Sequence, residues 1–125
     1  MAKLPQHVVD AWEKRQGPVV LATVDEQGKP NIIYASCVSK YDDSTVVVAD
    51  NFFDKTKQNI LSGSTGSVLF LTDDKKAFQI KGAFEYHEKG EIYDHMKSWN
   101  PGHLPGRAAA ALKVREVYSG AEKLL

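Results

Sequence analysis

Val46-Val47-Val48-Ala49-Asp50-Asn51-Phe52-Phe53-Asp54-Lys55-Thr56-Lys57-Gln58-Asn59-Ile60 is the stretch from which the fold is read. Its apolar opening, counted from Thr45 to Ala49, predicts a strand buried on both faces. A polar and aromatic loop follows. Asp54 then stands in N-cap position before a short helix from Lys55 to Ser62, with Ile60 and Leu61 as the apolar contact and Gly63 as the C′ residue.

The start of that helix carries a chemical reading. The first turn of a helix offers unpaired backbone N–H groups and a partial positive charge. Lys55 adds an ammonium and Thr56 a hydroxyl, which are the donors a phosphate ester needs. The same pattern also fits an ordinary capped surface helix with its lysines in solvent.

Working outward, Leu4, Val8 and Trp12 recur at helical spacing, and residues 5 to 16 read as an amphipathic helix stopped by Gly17-Pro18. Strands are expected over Pro18 to Asp25, Asn31 to Lys40, Ser67 to Thr72, Ala77 to Tyr86 and Ala108 to Tyr118, separated by turn clusters such as Asp25 to Pro30 and Asp73 to Lys76. Within Ala77 to Tyr86, Phe78, Ile80, Phe84 and Tyr86 share one face. Gly82 falls among them, which points to a bend or a close backbone approach. Ala108 to Ala111 taken alone would favour helix. Gly90 to Trp99 reads as a third helix, with Ile92, Tyr93 and Met96 facing the core. The expectation is a mainly β single domain over residues 1–125, with short helices and a six-stranded antiparallel split barrel of Greek-key type, since closure removes exposed edges.

Composition narrows the function. Sixteen basic residues balance sixteen acidic ones, so the basic surplus on which nucleic-acid binding draws is missing. An oligonucleotide-binding Greek-key barrel is the competing reading for a small aromatic-bearing β protein, and the charge balance speaks against it. Residues 1–5 lack the pattern of a signal peptide, and no apolar run is long enough to span a bilayer. A cytoplasmic protein without membrane or nucleic-acid partners is expected. His7, His87, His95 and His103 are scattered without metal-ligand spacing, so no metal site is expected. Cys37, the one cysteine, reads as core or as a neighbour of a ligand.

Three motifs in order carry a resemblance: Pro-x-x-x-x-Ala-Ser at Pro30 to Ser36, Asp-Lys-Thr-Lys-x-Asn-Ile at Asp54 to Ile60, and Phe-Gln-Ile-Lys-Gly at Phe78 to Gly82. Together with the ending from Leu104-Pro105-Gly106 through Val117 to Glu122, the chain resembles the pyridoxamine 5′-phosphate oxidase-like family of FMN-binding split barrels, above all its short single-domain members. The resemblance implies FMN as cofactor, with Lys55 and Thr56 at its phosphate. It sets Ile33, Tyr34, Ala35 and Ser36 along the flavin and ribityl chain, and Ala49, Asp50 and Asn51 at the ring. Gln79 matches a glutamine that reaches the cofactor. Phe52, Phe53 and Trp99 are either apolar cover for the flavin or simply core.

The resemblance further implies a homodimer with FMN between subunits, for which the apolar strand faces, Trp99 and Leu124-Leu125 would supply surface. It implies an oxidoreductase exchanging electrons with a nicotinamide nucleotide or a partner protein, and no catalytic side chain is assigned. The alternative is a non-catalytic flavin store or electron carrier. Longer members that oxidise pyridoxamine phosphate carry an arginine–histidine pair near the C-terminus. His103 and Arg107 lie in that region in a different arrangement, which speaks against that particular reaction.

Overall fold

The computed structural model describes residues 2–125; Met1 lies outside the described residues. The Val46 stretch forms β4 (Thr45–Asp50), paired antiparallel with β3 (Val38–Asp42) on one side and β7 (Ala108–Ser119) on the other. Every residue of β4 is buried. Val46 and Val48 face the main core, whereas Val47 and Ala49 pack around Met96 of α3 (Glu91–Trp99). A strand covered on both faces needs apolar residues at consecutive positions, which is what the valine run supplies.

The remaining strands are β1 (Val19–Val24), β2 (Pro30–Ala35), β5 (Thr65–Leu71), β6 (Ala77–His87) and β8 (Glu122–Lys123). All pair antiparallel in one sheet of order β2-β1-β5-β6-β7-β4-β3, with β8 added to β7. The sheet is curled, and β2 and β3, which follow one another in the chain, are its two edges. The strand expected over Asn31 to Lys40 is therefore two strands, interrupted at Ser36-Cys37, and with β8 the described residues form eight strands rather than six. The curl explains the interruption: a single straight strand cannot lie on both edges.

Trp12 of α1 (Gln6–Glu13) fills the interior with Leu21, Val68, Phe70 and Ile80, and its ring meets Phe70 edge-on at 5.1 Å. The helix ends earlier than expected, at Glu13, with Arg15 bridging to Thr72. Arg15 donates to the carbonyls of Trp12 (3.0 Å) and Val38 (3.2 Å) and lies 4.2 Å from the Trp12 ring centroid, so it ties α1 to the start of β3.

Ala108 to Ala111 form a strand despite their helix preference, because β7 is central and pairs with both β4 and β6. The small side chains of Ala109 and Ala111 leave room for Met96, and that packing overrides intrinsic propensity. None of the described helices is long and apolar enough to cross a membrane.

In α2 (Lys55–Leu61), Ile60 is buried but Leu61 is 61% exposed, so the apolar contact is Ile60 alone. Asp54 occupies the N-cap position without a side-chain capping bond; its carboxylate accepts from Gln58 at 3.4 Å. Gly63 takes the left-handed conformation (φ 91°) that closes the helix. Leu124 and Leu125, expected as free surface, instead pack against the core and exchange backbone hydrogen bonds with Val117.

Gly82 is the close approach foreseen from its place on the aromatic face. A Cβ there would stand 1.9 Å from the Lys113 carbonyl oxygen, beside the bulge that leaves Arg115 unpaired between Glu116 and Val114. Gly82→Ala is expected to cost about 1–3 kcal/mol in urea denaturation, since backbone must give way. Gly102→Ala, where nothing lies within 4 Å, should stay within about 0.5 kcal/mol of the parent.

Candidate functional site

The interruption between β2 and β3 opens a pocket of about 330 Å³, lined by Ile33, Tyr34, Ala35, Ser36 and Cys37 on one side and Ala49, Asn51, Phe52, Phe53 and Leu104 on the other. It is of the size and apolar character that small ligands occupy. Two chain segments far apart in sequence meet here because β4 ends beside the point where β2 stops. Phe52 is 73% exposed and Phe53 is half-buried, so Phe53 is wall and Phe52 is rim.

β2 links this pocket to the start of α2. Along it, Asn31, Ile33 and Ala35 share the inward face, while Ile32 and Tyr34 point outward at 66% and 78% exposure. Asn31 donates through Nδ2 to the Thr56 hydroxyl at 3.1 Å. Thr56 is buried and keeps its own O–H to donate, and the Lys55 side chain lies beside it in solvent. Four strand steps lead from Asn31 to Ala35, or about 13 Å. The start of α2 and an apolar pocket thus lie at the two ends of one strand face.

The loop following β4 is held by a buried polar cluster. Asp50 is fully buried and does not line the pocket. Its Oδ1 accepts the Phe53 backbone N–H at 2.9 Å and its Oδ2 accepts the Tyr86 hydroxyl at 2.5 Å. The Arg107 guanidinium donates to the Asn51 carbonyl at 2.8 Å and stands 3.9 Å from Asp50. The Asn51 amide is committed to a reciprocal pair with Asn100 (3.1 and 3.0 Å) and accepts from the Gly106 N–H at 2.9 Å. Asp50 and Asn51 therefore fix the shape of the loop through their side chains.

Besides Asp50, two more of the residues expected at the flavin lie outside the pocket. Trp99 lines an adjoining cleft with Ser36 and Cys37. Gln79 lies in a separate depression on the outer sheet face with Lys81, Arg115 and Glu116. It is in register with Leu69, which is in turn beside Val20 and Tyr34, so about 14 Å of sheet separates it from the pocket edge. Reading the sequence missed Tyr86 and Arg107 as partners of Asp50, and Leu104 as pocket wall. For Tyr86 the available signal was its place on the inward face of its strand.

Burial above all, then the hydrogen bond to Asp50 and the charge of that carboxylate, hold the Tyr86 phenol above its ordinary value of 10. The unfolded chain releases this proton near pH 10 while the folded chain keeps it, so the unfolded state binds fewer protons and stability falls as pH rises past that point. Tyr86→Phe removes the donor to a buried carboxylate and is expected to cost about 1–3 kcal/mol near neutral pH. The gap between parent and variant should narrow above pH of about 10, read from urea midpoints across a pH series.

A family model described as pyridoxamine 5′-phosphate oxidase matches residues 4–119. An uncharacterized protein of Methanocaldococcus jannaschii is 27% identical over 124 residues, which cover 95% of this chain and 82% of that protein. Among solved structures, HupZ of Group A Streptococcus matches with a TM-score of 0.79 at 24% identity, covering 93% of each chain. An FMN-binding protein of Syntrophomonas wolfei matches with a TM-score of 0.69 at 24% identity, over 83% of this chain and 77% of that one. These two structures share the fold. With the family match running from Leu4 to Ser119, the chain belongs to the pyridoxamine 5′-phosphate oxidase family.

Proposed function

We propose that this protein is an FMN-binding flavoprotein that works as an oxidoreductase, with its flavin held at the interface of a homodimer. The observation that carries the reading is the inward face of β2, which leads from Lys55 and Thr56 to the apolar pocket. That spacing suits a ligand with a phosphate at one end and a flat ring at the other. Family membership and the FMN-binding relative support the same cofactor.

In this reading Lys55 and Thr56 hold the phosphate, with Asn31 orienting the threonine hydroxyl. Ile33 and Ala35 flank the ribityl chain, and Ala49, Phe53 and Leu104 exclude water from the ring. The Ser36–Cys37 peptide units, outside both strands, meet its polar edge. Bound FMN supplies the electron transfer itself. Among the described residues no histidine, carboxylate or cation lines the pocket, so no strong acid or base is positioned there. The same lining also accommodates the alternative, a flavin store or electron carrier without a substrate of its own.

The dimer is supported by the outer face of β2, β1 and β5, where Ile32, Tyr34, Leu69 and Leu71 are exposed around a shallow apolar depression. Covering this patch by a second copy removes exposed apolar surface. A two-fold pair built on this patch could set the Tyr34 edge of one subunit against the Gln79 region of the other. Gln79 would then reach the partner's flavin, which the sheet width denies it within its own chain.

Freshly purified protein is expected to be yellow and to release FMN, not FAD, on denaturation; a colourless protein that also fails to take up added FMN overturns the reading. Lys55→Ala should weaken FMN about tenfold, or about 1.4 kcal/mol. Leu69→Lys should sediment as a monomer and lose FMN with it. Retention of full FMN affinity by that monomer would refute the shared site.

A further inference from the structure

A second cavity, of about 420 Å³, lies against the first. Its lining is Ser36, Cys37, Val38, Ser39, Trp99 and Pro101, and it shares Ser36 and Cys37 with the pocket that begins at Ile33. The two cavities therefore meet over the residues that interrupt the sheet. A ligand in either one touches the same short piece of backbone.

The far wall of this cleft is pre-arranged. The Trp99 indole N–H donates to His95 Nδ1, one helical turn earlier, at 3.2 Å. The His95 ring in turn stands edge-on to Tyr41 at 5.1 Å and to Trp99 at 6.1 Å between centroids. Asn100 closes α3 onto Met96 and pairs with Asn51, and Pro101 restricts the backbone that follows. An aromatic ring tethered in this way loses little freedom when a ligand settles on it.

The chemistry of the lining is selective. The lining residues bring an indole, a thiol, a proline ring and two serine hydroxyls, with Val38 turned to the core, and none of them is charged. A phosphorylated, carboxylated or cationic ligand would shed hydration here without a counter-charge. A flat uncharged ring with a carbonyl edge would find an aromatic wall and hydroxyl donors.

We propose that this cleft is a second binding site, for a neutral planar ring compound that lies beside the flavin. The inference rests on the flavin reading for its neighbour alone; Ser39 and Trp99 line this cleft and not the first pocket.

The test uses the FMN-loaded protein, ¹⁵N-labelled, with coumarin as the neutral probe and coumarin-3-carboxylate as its charged counterpart. The indole N–H resonance of Trp99, assigned by its loss in Trp99→Phe, should shift saturably with coumarin while that of Trp12 stays fixed. Coumarin-3-carboxylate should bind at least tenfold more weakly. Ser39→Arg should keep its FMN and reverse that order.

No shift of the Trp99 signal up to the solubility of coumarin overturns the proposal, as does equal binding of the two probes or an unchanged order in Ser39→Arg. A Trp99 signal that follows protein concentration and ignores coumarin assigns the cleft to a second copy, which also overturns it. A preparation that holds no FMN refutes the flavin reading instead, and the same titration then decides the cleft in the flavin-free protein.

Discussion

Two consecutive strands, β2 and β3, form opposite edges of one sheet, and only Ser36 and Cys37 lie between them. Three peptide steps from Ala35 to Val38 can span at most about 10 Å. Seven strands set side by side would stretch over about 29 Å if flat. Connectivity therefore obliges the sheet to curl until its edges approach each other at this point. The interior that results is filled by Trp12, Leu21, Val68, Phe70 and Ile80, and Arg15 ties α1 to Val38 across the seam.

The same constraint locates both cavities. Where two edges approach without pairing, backbone and side chains that a closed barrel would hide remain accessible. Ser36 and Cys37 line each cavity, and the flanking walls come from the end of β4 and from the segment after α3. One strand direction, that of β2, then relates the seam to the start of α2. The distance between the start of α2 and the pocket is thus set by strand geometry, which is far stiffer than any loop.

What keeps the walls in place is polar. The loop from Asp50 to Phe53 would be free to move if it depended on Phe52 and Phe53 alone. A buried carboxylate that accepts from the Phe53 N–H and the Tyr86 hydroxyl, with a guanidinium on the next carbonyl, ties the loop to β6 and to the start of β7. The Asn51–Asn100 pair extends the tie to the end of α3, where Trp99 and Pro101 stand. The pocket and the neighbouring cleft are consequently held by one connected set of hydrogen bonds.

Much of this was legible in the sequence. The valine run of β4, the helix starting at Lys55, the close approach at Gly82 and the core-facing Met96 follow from local period and turn chemistry, because each depends on neighbours a few residues away. Family resemblance added the family itself, which the match over residues 4–119 bears out, and the expectation of a flavin near Ser36. Other features waited on the tertiary structure. The break at Ser36-Cys37 carries no glycine or proline, so nothing local marks it; it exists because the sheet must curl. The role of Asp50 depends on Tyr86 and Arg107, the strand state of Ala108 to Ala111 depends on two flanking strands, and the distance of Gln79 from the pocket depends on strand order. Periodicity along a chain reports which residues are inside, and only the pairing of distant segments decides which of them meet.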